Sequence, residues 1–347
     1  MMTNPTPESE GVFVGVDTHR DVHHAAVIDR LGRELADRPF PATPDGYRQL
    51  TDWVTRLGVV EVAAVEGTSS YGAALTRHLI SAGWNVVETT PRDAADRRRR
   101  GKTDTADAFT AARAALTGQA TAVPKDTTGT VEAIRVLREA RKLLVRQQTQ
   151  TMNQIRSFLV TAPATLREQF RQPTALRLAE ALTQHQPDPA ASPVTAALSH
   201  VLTLHAAHWL QLRQEAKTLN RQLHTLLTHT APALLAAPGV GPDTAATLLV
   251  TAGQNSTRIR TEAALAHLLG VAPVPASSGR TTRHRLDRGG DRQGNAAIHR
   301  IALTRLSYDP ETIDYINRTI ARGKTKREAI RLLKRHLIRE IHPLLTT

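Results

Sequence analysis

The chain has 347 residues, no cysteine, 40% hydrophobic but only 3% aromatic residues, and a formal net charge of +13. That length predicts two or three domains with aliphatic cores, and the missing cysteines exclude disulfides and thiolate zinc sites. The basic excess predicts a polyanionic partner, nucleic acid or a membrane surface. The first residues, "MMTNPTPESEG", lack a basic-plus-apolar signal pattern, and no run reaches the roughly 18 apolar residues of a membrane span. The expectation is therefore a soluble, cytoplasmic protein that faces nucleic acid. Its charge is concentrated: residues 280–340 hold 16 Lys/Arg against 7 Asp/Glu, and a second focus is "RRRRGK" at 97–102.

In chain order, "GVFVGVD" (11–17) predicts a buried strand ending at an aspartate. "VHHAAVID" (22–29) and "RELADRPF" (33–40) predict two more strands across the turn-like "DRLG". Tyr47, Leu50, Trp53, Val54 and Leu57 have helical spacing over 44–57. "VVEVAAVE" (59–66) is a continuous apolar strand ending at Glu66, 70–83 a helix closed by glycine, and 84–90 a further strand. The basic loop follows, then a helix from about Thr103. This order predicts a mixed α/β sheet whose first three strands form a meander.

From 125 to 231 the pattern is helical. Ile134, Leu137, Leu144, Ile155 and Phe158 lie on a broken heptad grid, as do Leu198, Val201, Leu212, Leu219 and Leu226. Polar interruptions favour a long antiparallel helical pair, coiled-coil-like, over a strict zipper. The Pro-punctuated stretch between them predicts a tip of lower order, and the whole region a spacer or a dimerising element. "LLAAPGVGPDTAATLLV" then predicts a helix-hairpin-helix, in which Gly239 and Gly241 let the backbone approach phosphate. Beyond it come a helix over 261–270, a polar loop over 275–295, and helices near 296–306, 310–322 and 325–340.

Four carboxylates carry the chemistry. Asp17 and Glu66 close strands, where sites gather in such sheets; Asp104 and Asp107, three apart, share one face of a helix start. Read singly, Thr103 is an N-cap and the two aspartates merely suit the first turn. Read together, four convergent carboxylates need cations to stay ionised, and two metal ions can clamp both oxygens of a phosphoryl transfer. Oxygen-only ligands suit Mg²⁺, or Mn²⁺, rather than zinc. The cations Arg97, Arg98, Arg99, Arg100 and Lys102 would then hold the DNA backbone. In "DTHRDVHH", His23 and His24 would point to opposite faces of a strand. With His19, they are read as packing or surface residues, and Asp21 as a turn residue.

With "FVGVDTHRDVHHAAVID", "VEGTSSYGAALTRHL" and "RGKTDTADA", then "LLAAPGVGPDTAATLLV" and "LAHLLGVAPVPASSGRTTRHRLDRGGDRQGNAAIHRIAL", the chain resembles DEDD-type transposases of the insertion-sequence one-ten family, described as bridge-RNA-guided recombinases. The resemblance spans most of the chain outside the helical middle. It implies a RuvC-like, RNase H-fold domain over 10–122 with the tetrad Asp17, Glu66, Asp104 and Asp107. A helical region over 125–231 and a C-terminal transposase domain over 232–345 would follow. A serine before a glycine in that last domain is Ser278, with Ser277 its neighbour. The resemblance further implies a covalent phosphoserine intermediate, strand exchange between donor and target DNA, a guide RNA, and a homotetramer built from dimers. Arg280, Arg283, Arg285 and Arg288 lie near enough in sequence to offset phosphate charge. In "DRQGN", Arg292 and Gln293 stand where family members often have Lys-Arg, while Gly294 and Asn295 are kept; Arg292 and Asn295 are candidate nucleic-acid contacts. The rival expectation is a RuvC-like nuclease or Holliday junction resolvase that uses water as nucleophile. Few aromatics argue for phosphate and shape contacts over base stacking, hence strong salt dependence.

Overall fold

The apolar run at residues 11–17 becomes the central strand of a five-stranded sheet. The computed structural model describes residues 11–89, 103–186, 188–276, 284–287 and 289–346, in two units that divide between Thr127 and Thr128. In the first, β1 (Gly11–Thr18), β2 (Val22–Asp29) and β3 (Glu34–Pro41) form the expected antiparallel meander. Helix α1 (Pro44–Thr55), β4 (Val59–Glu66), α2 (Ala73–Ser81), β5 (Val86–Thr89) and α3 (Asp104–Leu116) complete it. The sheet order is β3-β2-β1-β4-β5, with β4 parallel to both β1 and β5.

Every residue of β1 is buried, as expected for a strand covered on both faces. Val12, Val14 and Val16 point to one side, among Leu50, Val54, Leu75 and Leu79 of α1 and α2. Phe13 points to the other, where α3 supplies Ala108, Phe109 and Ala112. Gly15 shares that second face, and a Cβ there would overlap the Ala108 carbonyl oxygen and the Ala112 amide nitrogen. The alanines of α3 and this glycine thus bring helix backbone directly onto strand backbone. Helix α2 starts at Ala73, later than expected, because residues 67–72 turn on Gly67 at φ 65°, with the Ser70 amide donating to the Gly67 carbonyl.

The second unit holds the long helices α4 (Gly129–Thr161) and α7 (Pro193–Thr230). They run antiparallel: Ile134 shares a core with Leu223 and Leu227, while Ile155 and Leu159 share another with Leu202 and Trp209. The buried stripe of α7 is Leu202, Ala206, Trp209, Leu212, Ala216, Leu223 and Leu227; of the expected grid only Leu212 belongs to it. Leu198 and Leu226 of that grid pack against the cores only partly buried, and the grid passed over Leu202, Leu223 and Leu227 together with the alanines and the tryptophan on their face. The tip also differs from expectation. It forms α5 (Ala164–Gln169) and α6 (Ala175–Thr183), which bury Leu166, Phe170, Leu178 and Leu182 in the outer core. Proline there starts and stops helices without preventing a core.

The base of the pair shares its core with α8 (Pro232–Ala236), α9 (Pro242–Ala252), α10 (Glu262–Leu268), α11 (Arg292–Tyr308), α12 (Pro310–Ala321) and α13 (Lys326–Thr346). The expected polar loop over 275–295 is not all loop: β6 (Pro273–Pro275) pairs antiparallel with β7 (His284–Leu286), and α11 begins at Arg292. No helix of the described residues is long and apolar enough to cross a membrane.

Gly15→Ala should destabilise the first unit by at least about 1–3 kcal/mol, the usual cost of overpacking, because helix backbone has nowhere to retreat. A denaturation midpoint unchanged from wild type would contradict this packing.

Candidate metal centre

Two strand ends and one helix start define the site. Parallel pairing of Val16 with Val65 sets Asp17 and Glu66 side by side at the ends of β1 and β4. The Thr18 hydroxyl locks them by donating to the Glu66 carbonyl at 2.8 Å. Asp17 follows Gly15 by two residues, so it faces α3. One turn before Ala108 on that helix lies Asp104.

The start of α3 is anchored twice. Thr103 is its N-cap, and its hydroxyl accepts from the Ala106 amide at 3.3 Å. Thr105 reaches the adjacent strands, its hydroxyl 3.2 Å from both His24 Nε2 and Asp37 Oδ2, which themselves pair at 2.6 Å. The capping interpretation and the site interpretation of Asp104 and Asp107 are therefore compatible. Both lie in the first turn of α3, where the helix dipole favours negative charge.

Asp17 is buried at 4% exposure, whereas Asp104 is exposed. His19 bridges them: its Nε2 lies 3.2 Å from Asp17 Oδ2 and 3.3 Å from Asp104 Oδ1. The three donor atoms fall within 4.8 Å of one another, the sole such group of three or more among the described residues. Glu66 and Asp107 stand on the same two supports but outside that 4.8 Å group. Two carboxylates and an imidazole are a donor set that fits a divalent cation.

His19 was not expected here. A usable signal existed: two residues beyond a strand-ending aspartate, a side chain returns to the same face. His23 and His24 do face opposite sides. His24 joins Asp37 on the α3 side, and fully buried His23 stacks on Tyr47 with ring centroids 5.7 Å apart. Burial, with a smaller effect of His19, holds the His23 imidazole below its ordinary range.

Among the other expected contacts, Arg97, Arg98, Arg99, Arg100, Lys102, Ser277, Ser278, Arg280, Arg283 and Arg288 lie outside the described residues. Arg285 and Arg292 are exposed. Asn295 has structural partners. Its amide donates to the Leu269 carbonyl at 2.7 Å and the Gly270 carbonyl at 3.1 Å, and its oxygen accepts from Lys334 at 2.6 Å. An amide so occupied holds α10, α11 and α13 together and has no free donor for a base edge. Gly239, at φ 74°, packs against Ile301 and Arg305 of α11, and Arg305 donates to the Pro238 carbonyl at 2.8 Å. Gly241 caps α9, its amide donating to the Thr244 hydroxyl at 2.9 Å, and a Cβ there would meet nothing within 4 Å.

Residues 14–162 match a family model described as a transposase of the DEDD IS110 type, and residues 231–317 match one described as the transposase IS116/IS110/IS902 family. A Streptomyces coelicolor protein, described as an insertion element IS110 uncharacterized 43.6 kDa protein, is 29% identical across 97% of this chain and 95% of its own length. The first match includes Asp17, Glu66, Asp104 and Asp107, and the second includes the β6–β7 hairpin. The chain belongs to the IS110 transposase family and is thus an enzyme that cuts and transfers DNA, of a type that uses divalent metal.

Proposed function

We propose that the chain is a Mg²⁺-dependent, RNA-guided DNA recombinase of insertion-sequence transposition, with Ser278 as nucleophile and Asp17, Glu66, Asp104 and Asp107 as metal ligands. The observation that carries this reading is the convergence of Asp17, His19 and Asp104 within 4.8 Å. The first unit, over 10–122, is RNase H-like (RuvC-like); its strand order, an antiparallel meander joined to two parallel strands, supports that reading. A helical region over 125–231 and a transposase domain over 232–345 follow.

Bound there, Mg²⁺ or Mn²⁺ would supply Lewis acidity and charge neutralisation for phosphoryl transfer. The chain's own residues do the rest. Buried Asp17 and capped Asp104 are fixed before substrate arrives, and His19 spans them and sets their separation. A serine hydroxyl is a weak nucleophile and needs such a charged environment to lose its proton. Its oxygen forms a bond to phosphorus as the bond from phosphorus to the departing strand oxygen breaks. Attack by a new strand end reverses the step and frees the serine. Arg280, Arg283, Arg285 and Arg288 offset phosphate charge during it. A guide RNA supplies sequence choice, and a homotetramer brings tetrad and serine together.

Metal binding tests the first half. Calorimetric titration with Mn²⁺ should show His19→Ala weakening affinity about 10- to 100-fold, as removing a group that orients metal ligands does. Asp104→Asn should weaken it further and end strand cleavage, with DNA binding kept. Affinity and cleavage at wild-type levels in Asp104→Asn would sink the metal assignment.

A second measurement tests the serine. With element DNA, candidate flanking RNA and Mg²⁺, wild type should form a covalent protein–DNA adduct, and Ser278→Ala should form none. Cutting that continues in Ser278→Ala without an adduct would favour a nuclease that uses water. An adduct retained there but lost in Ser277→Ala would move the role one residue.

A further inference from the structure

The long helical pair, expected to be a spacer, has a break in its apolar seam. The outer core reaches inward to Met152 of α4 and Trp209 of α7, and the inner core begins at Ile134 and Leu223. Between them the helices line an open cleft of about 560 Å³. Its apolar lining is only Val145 and Ala216, a small side chain where a larger one would close the seam. The remaining lining is polar or cationic. Arg141, Arg213, Lys217 and Arg221 contribute four positive charges, beside the amides of Gln148, Gln214 and Asn220, and no carboxylate lines the cleft.

Placement is helical in origin. Residues 141, 145 and 148 share a face of α4, and 213, 217, 220 and 221 share one of α7. Arg213 is steadied by the Trp209 ring, its guanidinium carbon 5.8 Å from the centroid. Among the described residues, neither Arg213 nor Lys217 is in an ion pair with a carboxylate. Arg141 reaches Asp243 only at 3.9 Å, and its Nε, like the Gln148 amide nitrogen, is buried without a hydrogen-bond acceptor on the protein. Donors buried without acceptors are costly, so the cleft is built for a ligand that brings acceptor oxygens. Forked guanidiniums suit phosphate, and the lining has no aromatic ring on which a base could stack.

We propose that this cleft binds the phosphodiester backbone of a nucleic-acid strand, making the helical pair a second nucleic-acid site apart from the metal centre. The inference rests on the family's handling of DNA and needs neither the serine nor the metal. Each phosphate neutralised adds about 0.9 to the salt slope of binding for duplex DNA and about 0.7 for single strands.

The test is fluorescence-anisotropy titration of the full-length protein over a range of KCl, with duplex DNA and with single-stranded RNA as separate probes. The cleft variant is Arg213→Gln, Lys217→Gln and Arg221→Gln together. The control carries the same charge loss on the exposed residues Arg156, Arg167 and Arg177, each replaced by Gln. The cleft variant should flatten the slope of log K against log salt by about 2–3 for at least one probe, and the control by less than one. Loss with RNA alone assigns the cleft to RNA, loss with DNA alone to DNA, and loss with both to a shared backbone site. Equal slopes in cleft variant and control, or no change with either probe, overturn the proposal. If Asp104→Asn ends cleavage while the cleft variant keeps its slope, this inference alone fails. If the slope falls while Ser278→Ala still forms an adduct, the serine assignment alone fails.

Discussion

A missing Cβ at Gly15 sets the geometry of the first unit. With no side chain there, the backbone of α3 lies against β1 at Ala108 and Ala112, and the alanines along that face keep the approach close. A helix seated at fixed height on a strand has its first turn at a fixed point too. That point is beside the strand end where Asp17 emerges, so the same contact that packs the core also brings Asp104 to Asp17. Catalytic constellations need placement within about half an ångström, and strand-to-helix backbone contact is among the stiffest ways to obtain it.

Electrostatics then works against the packing. Burying Asp17 next to a second carboxylate raises the energy of the ionised pair, and the chain answers with polar contacts from three directions. His19 lies between the two carboxylates. The helix start contributes its dipole and its Thr103 cap. Thr105 ties that turn to His24 and Asp37. A divalent cation, the kind of ion that transposases of this type use, would offset the repulsion between carboxylates held this close.

The second unit solves a different problem, the anchoring of two helices far longer than any single core. At the base, Asp243 sits among three guanidiniums: Arg138 at 3.4 Å, Arg141 at 3.9 Å and Arg300 at 3.0 Å. Buried Arg138 also donates to Gln293 at 2.9 Å, joining α4 to the start of α11. Gln293 thus has a structural partner, which gives the departure from the usual Lys-Arg pair a physical sense, since a cation there would face Arg138. At the far end the tip helices close their own core. In the stretch between, the apolar seam of α7 thins to Leu212 and Ala216, and that is where the cationic cleft opens.

The sequence by itself determined the elements and their order in the first unit, since strand alternation, apolar runs and capping residues are local signals. It also determined which carboxylates stand at strand ends and helix starts, and the family. Tertiary structure decided what those residues meet. His19 reaches Asp104 across 85 positions of chain, a distance no periodicity can measure. Asn295 binds the Leu269 and Gly270 carbonyls and Lys334, although its sequence context suggested a nucleic-acid contact. The tip's core and the phase of α7 rest on alanines, a tryptophan and a phenylalanine whose burial depends on which helix lies opposite. Local patterns follow from bonds along the chain, whereas sites and clefts follow from which distant faces can pack without a clash.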